Sequence, residues 1–359
     1  MKKTALIMAG GRGERFWPRS RKNLPKQFLS LTNDGITMIQ HTVNRILPIV
    51  DIKDIYISTN KEYIDLVLQQ LPNIPKENIL CEPLSRNTAP CIAMAAAYIQ
   101  NKYNDAIMVV LPSDHLIKNN EMYVYALNDA CKVAESDKNL VTIGITPTHP
   151  ETGYGYIKFN NKRETFGNSN AFKVDRFVEK PNIEKAKEYL SSGVYLWNSG
   201  MFVWKVSSIL ENFKINLPKI YEGAVSIVSC HNTEEYDKVL QDTFSQFESI
   251  SIDYGILEKA KDIFVIPGTF GWDDVGSWLA IERINKTDDY NNVVNGNVIT
   301  IDTQNSIVQG EKKLIAVVGV EDLIVVDTND ATLICNKDDA GKIKKVIENL
   351  KICNRKEYI

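Results

Sequence analysis

The sequence predicts an α/β protein in two parts. A mostly parallel sheet flanked by helices covers residues 1–285, and a small β-rich domain covers residues 286–359 and ends in a helix. Three observations carry that prediction. Short apolar runs of strand length alternate with helical apolar patterns through the first half of the chain, the pattern of a parallel sheet with helices on both faces. Two of those runs, residues 5–9 and 106–111, are wholly apolar, as a strand buried on both faces is. From residue 291 the runs become short, β-rich and nearly evenly spaced, with turns such as Asn295-Gly296 and Thr328-Asn329 between them.

The first strand, residues 5–9, breaks at Gly10 and Gly11, and a third glycine follows at Gly13. Such a turn lets the backbone approach a ligand and aim its N–H groups at one point, which suits phosphate. Cations follow at once: Arg12, Arg15, Arg19, Arg21, Lys22 and Lys26, against the single acid Glu14. No Gly-Lys-Ser/Thr closes the turn, so it is not a P-loop, and Phe16 stands where a dinucleotide fingerprint has its third glycine. Helices are expected over 37–50 and 62–71, and strands over 54–59 and 78–81. The last of these runs into Glu82-Pro83-Leu84-Ser85-Arg86-Asn87-Thr88-Ala89-Pro90 and a small-residue helix over 91–98. Asn87 or Thr88 suits an N-cap there, with Pro90 in the first turn. The strand over 106–111 ends in Pro112-Ser113-Asp114-His115. An acid at the carboxyl end of a central strand either caps a turn or holds Mg²⁺, a hard cation that prefers carboxylate and phosphate oxygens.

A helix over 122–134 and a strand over 140–145 come next, then Gly153 and Gly155 flank Tyr154 in a loop that enters a strand. Residues 159–170 are polar and read as a hairpin excursion. A strand over 173–181 ends in Glu179-Lys180-Pro181, a charged pair that also suits a solvated strand end. After a helix over 183–191, Asn198-Ser199-Gly200 is expected just before a strand. Asn198 offers both a donor and an acceptor, while Trp197 suits the core as well as stacking on a ring. Helices over 206–213, 220–229 and 233–244 precede Ser251-Ile252-Asp253-Tyr254-Gly255, where helix capping is the expected role. Following a strand over 263–267, Trp272-Asp273-Asp274-Val275 sets two adjacent acids beside aromatic residues, an unusual composition for a plain loop. Beyond residue 291 the pattern is that of a small stacked-sheet or β-helix-like domain with a structural role, closed by a helix over 338–350.

Composition narrows the function classes. The chain has 359 residues, 44% hydrophobic and 24% charged, enough for one large core and a smaller one. A net charge of −3 implies no general affinity for nucleic acid, so the basic cluster near the N-terminus is a local feature. Six cysteines are scattered without a Cys-x-x-Cys pair, which argues against a zinc site or disulfide framework and fits a reducing cytoplasm. The chain enters a strand almost at once, leaving no room for a signal peptide, and no run of about 18 apolar residues predicts a membrane span.

Ala9-Gly-Gly-Arg-Gly-Glu-Arg-Phe-Trp-Pro18, followed by Pro25-Lys-Gln-Phe28, resembles the signature of the sugar-phosphate nucleotidyltransferases. The segments Arg86-Asn-Thr-Ala-Pro90, Val178-Glu-Lys-Pro181 and Trp197-Asn-Ser-Gly-Met-Phe202 resemble the mannose-1-phosphate guanylyltransferase branch. The resemblance covers nearly the whole chain. It implies a Rossmann-like catalytic domain, Mg²⁺ as cofactor, GTP and mannose 1-phosphate as substrates, and a possible homodimer. It further implies polyphosphate contacts from Arg15 and Lys26 with the backbone of Gly10, Gly11, Arg12 and Gly13. Base and ribose recognition falls to Glu82, Arg86, Asn87 and Thr88, where Glu82 or a loop carbonyl meets the N1–H and amine of guanine. Sugar-phosphate contacts fall to Gly155, Glu179, Lys180 and Asn198, and Mg²⁺ to Asp114 and Asp274. Asp273 stands where the family pattern has serine, which leaves open which of the two acids binds. The presence of Lys26, Asp114 and Asp274 argues against a catalytically silent sensor, and the same chemistry on another sugar phosphate or nucleotide is the nearest alternative. Long relatives carry an additional phosphomannose isomerase domain; this chain ends soon after Leu350, so no isomerase activity is expected.

Overall fold

The computed structural model describes residues 1–11, 13–32 and 34–359. Contacts divide the chain into two compact units that no single cut separates. The first comprises Met1–Gly10, Thr42–Pro112 and Ile117–Trp272; the second comprises Gly11–His41, Ser113–Leu116 and Asp273–Ile359.

The first unit is built on β1 (Lys3–Met8), β2 (Ile55–Asn60), β3 (Ile79–Glu82) and β4 (Ile107–Pro112), which are mutually parallel. After the two-residue strand β5 (Leu116–Ile117) come β6 (Leu140–Ile145), β7 (Tyr156–Phe166), β8 (Ser169–Val178), β9 (Tyr195–Lys205) and β10 (Ile263–Gly268). The nine-stranded sheet runs β3-β2-β1-β4-β9-β6-β10-β8-β7. It is parallel through β4 and mixed beyond, because β9 lies antiparallel to both β4 and β6 while β6 and β10 are parallel. β7 and β8 form the expected hairpin. The order reverses at β1, flanked by β2 and β4; in such sheets ligands bind beyond the carboxyl ends of the strands at the reversal. Gly10 follows the carboxyl end of β1 in the chain, and Asp114 follows that of β4.

The helix Thr88–Tyr103 is buried without a break from Ala89 to Ile99. Its alanines leave room for close approach by the helices Val206–Asn216 and Pro218–Ser229, with which it shares the main core. It runs longer than its small-residue centre predicts. Asn87 caps its start, accepting from the Thr88 N–H at 2.9 Å, and Gln100 and Lys102, both good helix formers, help carry it on to Tyr103. A second difference concerns Asn198-Ser199-Gly200, which lies within β9 rather than before it. The register slips there: Thr142 pairs with Phe202 but Gly144 with Asn198, so β9 carries extra residues that bulge its backbone, and Gly200 takes a φ of 68°.

In the second unit, after β11 (Trp272–Asp273), the short strands are β12 (Val293–Asn295), β13 (Val298–Ile301), β14 (Ile307–Gln309), β15 (Ile315–Val318), β16 (Leu323–Asp327) and β17 (Thr332–Asn336). β12, β14 and β16 stack in parallel, β13 pairs in parallel with β15, and β17 closes the larger sheet antiparallel to β16. This is the β-helix-like stack the even spacing predicts. Its inward residues Val293, Ile307 and Ile324 share one core with Phe16, Trp17 and Leu29 of the N-terminal segment and with Trp278. The Trp278 indole N–H donates to the Trp17 carbonyl at 3.0 Å, and the Trp17 indole donates to the Tyr358 carbonyl at 2.7 Å. The final helix begins as a tighter 3₁₀ turn, Lys337–Lys342, before Ile343–Ile352, and buries Ile343 and Ile347 in that core. The C-terminal strands therefore do structural work on the basic segment that follows Gly11. Among the described residues no helix is long and apolar enough to cross a membrane.

Candidate active site

In the second unit, Gly13, Arg15, Lys26, Asp114, His115 and Asp274 line one open cavity of about 560 Å³. Arg12 lies outside the described residues. Lys26 starts a 3₁₀ turn after Pro25 and is buried, yet its ammonium reaches the cavity. Its Nζ donates to Asp114 Oδ2 at 2.8 Å and to the Asp274 carbonyl at 2.6 Å. Burial alone would push the Asp114 carboxyl up, but the Lys26 ammonium and His115 outweigh it and hold the group below its ordinary range. Gly13 makes this geometry possible. It sits at φ 59°, and a β-carbon there would lie 2.9 Å from the Lys26 backbone nitrogen and closer still to the Lys26 Cβ. Arg15 is exposed at the rim, its Nη1 3.5 Å from the Gly276 carbonyl.

The two adjacent acids separate cleanly. Both Asp273 oxygens are gripped by Arg283, at 2.6 Å from Nε and 3.0 Å from Nη2, and Oδ1 also accepts from the Val275 N–H at 2.8 Å. Asp273 is therefore a structural anchor. Val275, a buried β-branched residue, is held at φ 47°, a conformation that costs roughly 1–3 kcal/mol. That strained turn points Asp274 to the cavity, where its Oδ1 accepts from the Gly276 N–H at 3.1 Å. A β-carbon at Gly276 would lie 2.8 Å from Asp274 Oδ2, so a side chain there would push the carboxylate from its place. Among the described residues no group of three His, Cys, Asp or Glu side chains could hold a metal alone. Two hard carboxylates lining one open cavity do suit Mg²⁺, which takes carboxylate, substrate and water oxygens as ligands.

In the first unit, Glu82 ends β3 beside Gly10. It is buried, accepts from Ser58 Oγ at 2.7 Å, and lies 3.5 Å from where a Gly10 β-carbon would be. Burial raises its carboxyl to about 7, against the Ser58 hydrogen bond. Asn60 donates to the Gly10 carbonyl at 3.3 Å, and its own Oδ1 is buried without a partner among the described residues. The neighbours of Glu82 make contacts within the protein. Arg86 donates to the Ser245 carbonyl at 2.6 Å, Asn87 is the helix cap, and Thr88 Oγ1 accepts from the Ile252 N–H at 2.8 Å. Arg86 and Thr88 thus tie the helix start to the 245–252 segment.

A second cluster of the first unit gathers Gly155, Asn198 and Glu179. The Asn198 N–H donates to the Gly155 carbonyl at 2.8 Å, and its Nδ2 donates to Asp253 Oδ1 at 2.8 Å. In the Ser251–Gly255 segment, where capping is expected, Ser251 Oγ accepts from the Tyr254 N–H at 3.3 Å, while the Asp253 carboxyl turns to Asn198. Burial raises that carboxyl, the Asn198 amide opposes the rise, and the charge of Glu179 adds to it. Glu179 and Lys180 are exposed and 3.9 Å apart. Trp197 is core: its ring is buried among His149, Tyr154 and Trp272. Asp253 is the polar residue that reading by motif missed; the available signal was an acid between core isoleucines, Ile252 and Ile256.

Comparison with known proteins agrees with this architecture. Residues 4–291 match the nucleotidyl transferase family, and residues 296–350 match a MannoseP isomerase/GMP-like β-helix domain. A mannose-1-phosphate guanylyltransferase of Salmonella montevideo is 42% identical over 361 residues, spanning 99% of this chain and 75% of that protein. The protein of that name from Escherichia coli K12 is 40% identical, spanning 98% of this chain and 74% of its own length. Among solved structures, a Thermus thermophilus protein named mannose-1-phosphate geranyltransferase is 33% identical, with a TM-score of 0.88 over 98% of this chain and 100% of that one. With a matched domain over most of its length and relatives this close, the chain belongs to the nucleotidyl transferase family, in its mannose-1-phosphate guanylyltransferase branch.

Proposed function

We propose that this chain transfers GMP from GTP to α-D-mannose 1-phosphate, giving GDP-mannose and pyrophosphate. The observation that carries the proposal is the cavity that brings together Lys26, Arg15, Asp114 and Asp274. A phosphate oxygen of the sugar phosphate attacks the α-phosphorus of GTP, the α–β P–O bond breaks, and its electron pair leaves with pyrophosphate. The attacking oxygen is already ionised at neutral pH, so no protein base or nucleophile is required. What the chain supplies is in-line alignment and neutralisation of the charge that moves onto the leaving group. Lys26 and Arg15 serve the polyphosphate with the Gly10–Gly13 backbone. Asp114 and Asp274 would hold Mg²⁺, which supplies charge neutralisation at phosphate oxygens when bound. Glu179, Lys180, Asn198 and the Gly155 backbone serve the sugar phosphate. Residues 1–285 form the catalytic part in this reading, and 286–359 its structural complement. Incubation with GTP, α-D-mannose 1-phosphate and Mg²⁺, followed by phosphorus NMR, should show GDP-mannose and pyrophosphate in equal amounts. GTP consumed without a sugar nucleotide would count against it.

Glu82 gives this reading a pH signature. Guanine presents N–H donors, which favour an ionised acceptor, so GTP affinity should rise from pH 6 to pH 8 as Glu82 loses its proton near 7. Glu82→Gln should weaken GTP binding and flatten that rise in a titration. Stability moves the other way. The folded protein holds the Glu82 proton above the ordinary carboxylate range, so this group lowers stability as pH climbs through that window. The ligand-free Glu82→Gln variant should accordingly gain roughly 1–3 kcal/mol on wild type between pH 5 and pH 8 in denaturant unfolding.

A further inference from the structure

The polyphosphate cavity has a wall that the motifs do not reach. Lys344, in the first turn of the helix Ile343–Ile352, lines it together with Arg15, Lys26, Asp114 and Asp274. We infer that Lys344 is a polyphosphate-binding residue, contributed to the active site by the C-terminal segment. The inference rests on the function proposed above and extends it to a part of the chain otherwise given a structural role.

Three observations carry it. The helix is fixed, because Ile343 and Ile347 are 3% and 4% exposed in the core that also holds Phe16 and Trp17. Lys344, next to one of these anchors, is exposed at the cavity, and among the described residues it makes no ion pair or hydrogen bond. Its neighbour Lys342, by contrast, is paired with Asp339 at 2.6 Å. Charge supplies the third observation. Within the cavity Lys26 is already paired with Asp114 at 2.8 Å, and Glu14, at the same wall, is 3.5 Å from Lys351. Among the described residues that line the cavity, Lys344 and Arg15 are the cations without a carboxylate partner, so Lys344 adds a second charge there for an anionic ligand.

The test compares wild type with Lys344→Ala and Lys344→Arg. Dissociation constants are measured for GTP and for magnesium pyrophosphate, alongside KM for mannose 1-phosphate and the thermal midpoint. Lys344→Ala is expected to weaken GTP and pyrophosphate binding by roughly 3- to 10-fold, the size of one partly solvated charge contact. Lys344→Arg should recover most of that loss. KM for mannose 1-phosphate should stay within twofold of wild type, and the thermal midpoint of Lys344→Ala should be equal or higher. GTP and pyrophosphate binding within twofold of wild type in Lys344→Ala would overturn the inference while leaving the proposed function standing. Equal weakening of all three ligands with a lower midpoint would also overturn it, as a folding defect. Wild-type protein that binds neither GTP nor pyrophosphate would overturn the function on which it rests.

Discussion

Asp274→Asn should lower turnover with GTP and mannose 1-phosphate by roughly a thousand-fold while shifting the thermal midpoint by only a few degrees. The amide keeps the size of the carboxylate and can still accept from the Gly276 N–H, so the strained Val275 turn is retained. What is lost, in the proposed reading, is one negative oxygen where a divalent cation would meet the polyphosphate. Affinity for Mg²⁺ should fall with turnover, and raising Mg²⁺ should restore part of the rate. The neighbouring substitution is the control. Asp273→Asn loosens the Arg283 clamp but leaves the cavity carboxylates in place, so it should cost stability and less than about tenfold in rate. Steady-state rates and melting curves of the two variants decide the assignment. Full activity in Asp274→Asn, or a larger rate loss in Asp273→Asn, would remove Asp274 from the metal site.

Gly13→Ala is the second large effect, and it acts through backbone rather than charge. Alanine at φ 59° costs roughly 1–2 kcal/mol on its own. Its methyl would also meet the Lys26 backbone at 2.9 Å, where no side-chain rotation gives relief. The loop or Lys26 must therefore move. A displacement of about 1 Å at a positioning group costs on the order of a hundredfold in rate. The expected result is a lower unfolding midpoint together with a turnover loss of roughly a hundredfold or more, with GTP affinity reduced as well. Gly11→Ala is the contrast: among the described residues nothing lies within 4 Å of its added methyl, so folding should be nearly unchanged. A Gly13→Ala variant with wild-type stability and rate would show that Lys26 is not held by that close approach.

The parts of the site that can be read in the sequence are those where chemistry is local to a few consecutive residues. The glycine turn after β1, the acid after β4 and the paired acids near residue 274 each announce themselves within a short window. Features that depend on distant residues do not. Asp253 meets Asn198 across 55 positions, and nothing in Ser-Ile-Asp-Tyr-Gly distinguishes that role from a cap. Which acid of Asp273-Asp274 faces the cavity turns on Arg283, ten residues away, and on a positive φ at Val275 that no propensity scale favours. Strand β9 starts earlier than its sequence suggests because polar Asn198-Ser199-Gly200 reads as a loop; its bulge and its pairing with β6 override that composition. The division into units is equally hidden. Phe16 and Trp17 look like a loop signature, but they are core residues of the β-helix-like stack nearly three hundred positions on.

The central claim is a guanylyl transfer to mannose 1-phosphate, and the most direct test is pyrophosphate release across a grid of nucleoside triphosphates and sugar 1-phosphates in the presence of Mg²⁺. The account predicts rapid release with GTP and α-D-mannose 1-phosphate, little with ATP, CTP or UTP, and none without a sugar phosphate. Release with a different pair would contradict the assignments of Glu82 and of the Glu179–Asn198 cluster. No release from any pair, despite GTP binding, would contradict the enzymatic reading itself.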